Sequence, residues 1–146
     1  MAVRTARTAW NGSVSEGSGQ VELTSSGTGT FDVSFPRREA ETADGVTSPE
    51  ELIGAALSSC YSMQLSALLG GAGATVVALE VTADVTFAAD PAGGFHIPSV
   101  ALTVRGEVEG IDAEGFRKTA EEAKATCPVS KALTGTTITL DATVES

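Results

Sequence analysis

The chain has 146 residues, 19 acidic against 9 basic, for a net charge of −10, with 42% hydrophobic and 19% charged side chains. That length reads as a single domain over residues 1–146, and that composition excludes a disordered chain. The acidic excess leaves no basic footprint for nucleic acid and disfavours an anionic membrane as partner. Aromatic residues make up only 5%. A core of small side chains buries little apolar area per residue, a weak pointer to further burial against a second subunit.

The first thirty residues hold no apolar stretch of the kind that directs secretion, so a cytoplasmic location is expected. Residues 3–35 alternate apolar and polar side chains, clearest in Val21-Glu22-Leu23 and Phe31-Asp32-Val33-Ser34-Phe35. Turn residues at Asn11-Gly12 and Ser15-Glu16-Gly17-Ser18-Gly19 punctuate them, which reads as an antiparallel meander or hairpin. Pro36 breaks the last strand, and Arg37 to Thr47 reads as a polar loop.

Ser48-Pro49-Glu50-Glu51 is a helix start: Ser48 caps, Pro49 suits the first position, and Glu51 occupies the reciprocal capping-box position. The helix is expected to run to about Leu69 and to end at Gly70-Gly71. Leu52 to Gly70 is nineteen residues without a charge, the length of a bilayer span. Gln64 and four serines dilute its apolarity and no Lys or Arg flanks it, so it reads as a helix buried on most of its faces in a protein core.

Strands are expected over Thr75–Phe87, Phe95–Val108 and Thr136–Val144, the first two joined by a turn at Ala89–Gly94. Asp112 caps a helix reaching about Ala125, with Phe116, Ala120 and Ala123 on one face. Cys127-Pro128 opens a short helix over Val129–Leu133 that Gly135 ends. The element order makes the chain α+β, antiparallel sheets around a buried helix that carries Cys60.

The chain has two cysteines and one histidine, His96, with no C-x-x-C, so a zinc site lacks ligands. Cys60, inside the uncharged helix, is by itself more simply a small core residue. Cys127 lies at a helix start, where backbone N–H groups favour a thiolate. The two are 67 residues apart, which leaves open a reversible disulfide or two unrelated buried thiols. Glu50 stands ten residues before Cys60, about 15 Å along a helix, so direct contact is excluded. An arginine reaching back, such as Arg38, could join them; alone, Arg37, Arg38 and Glu50 read as ordinary loop and first-turn charges.

Taken together these segments resemble one family. Ser48 to Ala56, Ser59-Cys60-Tyr61-Ser62-Met63 and Cys127-Pro128-Val129-Ser130 resemble the OsmC/Ohr family, the osmotically inducible protein C and organic hydroperoxide resistance proteins. Ala9-Trp10-Asn11-Gly12, Gly110-Ile111-Asp112-Ala113 and Ile138-Thr139-Leu140-Asp141 fit the same pattern, so the resemblance spans essentially the whole chain. Tyr61 departs from the commoner Phe. The resemblance implies an intertwined homodimer with active sites at the subunit interface. It implies a peroxidase in which Cys60 reduces an organic hydroperoxide and becomes a sulfenic acid, which Cys127 resolves as a disulfide. It implies that Glu50 holds a catalytic arginine. In the OsmC branch that arginine follows a Phe, as in Phe35-Pro36-Arg37-Arg38, where Arg38 is the better register and Arg37 stays open. The Ohr branch places it earlier, and none lies between Arg7 and Arg37, which favours the OsmC branch. The implied reductant is a dithiol such as lipoyl groups on proteins; no metal, flavin or haem is implied. The apolar helix suggests a greasy pocket suited to bulky organic hydroperoxides. The rival reading is a protein of the same fold that binds an apolar ligand or senses redox state.

Overall fold

The computed structural model describes residues 1–145, and the chain divides into two compact units, Met1–Leu52 and Ile53–Ser146. In the first, β1 (Arg7–Asn11), β2 (Ser18–Glu22) and β3 (Thr30–Val33) form the expected antiparallel meander in that order. Gly12 takes φ +90, the left-handed conformation that glycine adopts without penalty, and this turns the chain between β1 and β2. Cross-strand polar pairs line the sheet, Arg7 with Glu22 at 3.2 Å and Gln20 with Asp32 at 3.0 Å.

The loop expected from Arg37 onward starts instead as one helical turn, α1 (Phe35–Arg38). Ser34 caps it by accepting the Arg37 N–H, and Pro36 sits in its first turn. Proline ends a strand, but its fixed φ also suits a helix start, and the Ser cap before it selects the helix. The helix α2 (Pro49–Gly71) then begins as expected, with Ser48 Oγ accepting the Glu51 N–H at 3.1 Å. The reciprocal half of the capping box does not form, because the Glu51 carboxylate accepts the Thr47 hydroxyl at 2.6 Å.

In the second unit, α2 ends later than expected. Gly70 and Gly71 stay helical, and Gly73, at φ +85, makes the left-handed turn while Ala74 N–H closes onto Leu69 O. The helix is also less buried than expected. Gly54, Leu57, Tyr61, Leu65 and Leu69 form one buried stripe at steps of three and four, while Ala55, Ala56, Ser59, Met63, Ser66 and Ala67 are exposed. A helix apolar on all sides does not by itself bury all sides; one sheet covers one stripe. By length and composition α2 is apolar enough to cross a membrane, but its stripe packs into the core described next.

That core rests on a three-stranded sheet in the order β4 (Thr75–Val85), β7 (Ser99–Glu109), β8 (Thr137–Glu145). A two-stranded hairpin, β5 (Ala88–Ala89) and β6 (Phe95–His96), interrupts the two long strands expected there; of the turn expected over Ala89–Gly94, Ala89 is in β5 and the rest turns the hairpin. β4 pairs antiparallel with β7, but β7 pairs parallel with β8. The crossover between β7 and β8 carries α3 (Ala113–Thr126) and α4 (Pro128–Ala132), as a parallel connection requires. Asp112 Oδ1 accepts the Gly115 N–H at 2.7 Å and starts α3 where the sequence places it. Val100, Leu102, Val104 and Val108 of β7 meet Phe116, Ala120 and Ala123 of α3 and the α2 stripe. Gly106 lets the Phe116 ring approach: a Cβ there would lie 2.9 Å from it.

Candidate active site

Cys60 comes from α2 and Cys127 from the junction of α3 and α4, and their sulfurs lie 3.1 Å apart as free thiols. Cys127 ends one helix and begins the next. Its N–H donates to Ala123 O at 2.9 Å and its carbonyl accepts the Lys131 N–H at 3.0 Å. Its extended backbone, φ −58 and ψ 125, is the conformation that a following proline imposes. Two hydrogen bonds brace α2 against α3 beside the thiols: Tyr61 Oη donates to Ala120 O at 2.9 Å, and Gln64 Nε2 to Thr126 Oγ1 at 3.0 Å. A disulfide needs the sulfurs to close by roughly 1 Å more. Cys60 is partly exposed while Cys127 is fully buried, so a small molecule from solvent meets Cys60 first.

The electrostatics of the two differ. Burial pushes the Cys60 thiol up, the hydrogen bond and charge of Cys127 push it further, and the Val129 N–H offsets part of this. Burial also pushes Cys127 up, but the Ser130 N–H, the Cys60 thiol, the Ser130 hydroxyl and the Val129 N–H together bring it below its ordinary value. The Cys127 side chain makes no cap hydrogen bond to the first turn of α4, yet these groups favour its anion. In the field of their own unit the surroundings favour the anion on Cys127 over that on Cys60. Ser130 Oγ is buried and meets no partner at hydrogen-bond geometry.

In the first unit Arg38 and Glu50 form a forked ion pair. Arg38 Nε donates to Oε1 at 3.0 Å and Oε2 at 3.1 Å, and Nη2 donates to Oε1 at 2.6 Å. Glu50 is 6% exposed and the Arg38 side chain 30%. Arg37 turns instead to exposed Asp44. Neighbours on the helical turn α1 point about 100° apart, which parts the Arg37 and Arg38 side chains.

Arg38 borders a groove of about 410 Å³ lined chiefly by Trp10, Val14, Val21, Val33, Phe35 and Leu52. The sequence reading sought a greasy pocket on the apolar helix. This one is built mainly by the N-terminal meander, with Leu52 of α2 at its edge. Among the described residues no cluster of three His, Cys, Asp or Glu side chains could hold a metal ion.

An α+β protein with a juxtaposed thiol pair, one sulfur reachable and one buried at a helix start, defines a class built for reversible thiol–disulfide chemistry. The chain belongs to the OsmC/Ohr family: the family model described as OsmC-like protein matches residues 42–141. It is 42% identical over 138 residues to Peroxiredoxin OsmC of Escherichia coli (strain K12), covering 94% of this chain and 93% of that one. It is 32% identical over 116 residues to the organic hydroperoxide resistance protein OhrA of Bacillus subtilis (strain 168), 79% of this chain and 78% of that one. Among solved structures, an organic hydroperoxide resistance protein OsmC from Legionella pneumophila, 25% identical, matches all of both chains with a TM-score of 0.75.

Proposed function

We propose that this protein is a thiol-dependent peroxidase that reduces organic hydroperoxides to alcohols. The observation that carries it is the Cys60–Cys127 pair, 3.1 Å apart, with the first sulfur reachable and the second buried. In the first step the Cys60 thiolate attacks one peroxide oxygen, the O–O bond breaks, and the other oxygen leaves as alkoxide and takes a proton. Cys60 is oxidised to the sulfenic acid. The Cys127 thiolate then attacks the Cys60 sulfur, forming a disulfide and expelling hydroxide, which leaves as water. A dithiol reductant returns both thiols and becomes a disulfide itself; lipoyl groups on proteins fit that chemistry.

Burial pushes Cys60 toward the thiol, and a cation beside it favours the thiolate that attack requires. Arg38 is our assignment for that cation, stabilising the Cys60 thiolate and the departing alkoxide, with Glu50 holding the guanidinium flat in a two-point grip. Family resemblance and the buried pair support this role. The apolar groove beside Arg38 favours organic over inorganic peroxide. We further propose that residues 1–146 act as one catalytic domain and that the chain works as a homodimer in the cytoplasm. The open apolar face of α2 supports the dimer, and free thiols that must be re-reduced support the compartment.

Steady-state turnover of an organic hydroperoxide and of hydrogen peroxide, each with a dithiol, tests this reading. Faster consumption of the organic substrate and a Cys60–Cys127 disulfide by mass spectrometry are expected. Binding of an apolar ligand with no turnover would replace the enzyme by a carrier or sensor.

A further inference from the structure

The Ser130 hydroxyl is committed to no hydrogen bond of good geometry. It is buried, and its residue stands three positions after Cys127, in the third position of α4. A side chain there commonly reaches back to the backbone N–H of the capping residue. That acceptor role is closed, because the Cys127 N–H is already spent on Ala123 O at 2.9 Å. Three positions after the cap, Ser130 stands beside Cys127, whose anion its hydroxyl favours. A neutral thiol is a weak acceptor and leaves the hydroxyl idle; a thiolate is a strong one.

We propose that Ser130 is a donor for the second half of the reaction, its O–H hydrogen-bonding the Cys127 sulfur whenever that sulfur carries charge. The proposal rests on the peroxidase reading and assigns the step in which Ser130 acts. In condensation the Cys127 thiolate is the nucleophile that attacks the Cys60 sulfenic acid, forming the S–S bond and releasing hydroxide. In reduction, an external thiolate attacks the more exposed Cys60 sulfur, the S–S bond breaks, and Cys127 leaves as thiolate. The hydroxyl serves both steps by raising the fraction of Cys127 that is ionised. It has no part in the attack of Cys60 on peroxide. The direction of the Cys127 shift agrees, with the Ser130 N–H and hydroxyl both favouring the anion.

Two measurements test it. In the Cys60→Ser protein, Cys127 is the one remaining thiol, and its ultraviolet thiolate absorbance against pH reports its ionisation without any peroxide. Adding Ser130→Ala is expected to move that titration up by about one pH unit. Ser130→Thr, which keeps the hydroxyl, is expected to titrate with the parent. With both cysteines present, one equivalent of cumene hydroperoxide should be consumed equally fast by the parent and by Ser130→Ala. Disulfide formation in Ser130→Ala should be about tenfold slower at neutral pH and recover as pH rises. An unchanged Cys127 titration in Ser130→Ala overturns the proposal. So does a Thr protein that behaves like the Ala protein, because packing rather than the hydroxyl would then be responsible. If the parent consumes no hydroperoxide, the peroxidase reading fails, while the titration still decides the Ser130–Cys127 contact.

Discussion

A sulfur reacts as its anion, so the roles of Cys60 and Cys127 turn on which is charged and which is reachable. Cys60→Ser is expected to abolish turnover, since a serine hydroxyl supplies no nucleophilic anion at neutral pH. Cys127→Ser should consume one equivalent of hydroperoxide as Cys60 becomes a sulfenic acid, and only a second equivalent should carry it on to the sulfinic acid, both species being distinguished by mass spectrometry. A Cys127→Ser protein that turns over at the parental rate with a dithiol would remove Cys127 from the cycle. Arg38→Ala should slow single-turnover peroxide attack by about 100-fold, the usual loss for one preorganised charged donor, and shift Cys60 alkylation to higher pH. Arg37→Ala should do neither, since its partner is exposed Asp44. The two ends of the Arg38–Glu50 pair also differ in stability. Arg38→Ala strands a carboxylate that is 6% exposed, and breaking a buried pair in this way costs about 3–5 kcal/mol. Glu50→Ala leaves a guanidinium 30% exposed, which water can solvate, so urea unfolding should show the smaller loss there.

At the scale of elements, α2 and α3 are held together beside the thiols by a buried phenol. Burial pushes the Tyr61 hydroxyl well above its ordinary value near 10, with nearby Glu121 and Cys127 adding to the shift. The folded chain therefore keeps its proton where the unfolded chain loses it. The stability this contributes is whole below about pH 10 and falls as pH rises beyond it, by about 1.4 kcal/mol per pH unit. Tyr61→Phe is expected to lose about 1 kcal/mol near neutrality, for the hydrogen bond to Ala120, and to show a shallower alkaline decline. Equal alkaline slopes for the two proteins would place the loss on other groups. The contact of α3 with β7 depends on Gly106 in a similarly local way. Gly106→Ala sets a methyl 2.9 Å from the Phe116 ring, and overpacking of that kind costs about 1–3 kcal/mol.

For the whole molecule, the open side of α2 is where the proposed dimer is tested. Met63 is 73% exposed amid Ala55, Ala56, Ser59 and Ala67, on a helix with no charge from Leu52 to Gly70. If a second copy covers that face, Met63→Glu should shift sedimentation from dimer toward monomer, because a carboxylate cannot be buried there unpaired. A parental protein that sediments as monomer ends the dimer proposal. The starts of α2, α3 and α4, the strand alternation and both cysteine motifs were legible in the sequence alone. Each depends on a residue and neighbours within about four positions: Ser48 before Pro49, Asp112 before α3, Cys127 before Pro128. The Ser48 cap was legible, but the fate of Glu51 was not, since Thr47 competes for its carboxylate only once the loop is in place. The α1 turn, the parallel pairing of β7 with β8 and the single buried stripe of α2 also required the tertiary structure. So did the 3.1 Å that separates Cys60 from Cys127. Periodicity tells which side chains avoid water, but not which strand or helix will cover them. Residues 67 positions apart meet only when the packing of α2 and α3 on one sheet outweighs the entropy of closing the chain between them.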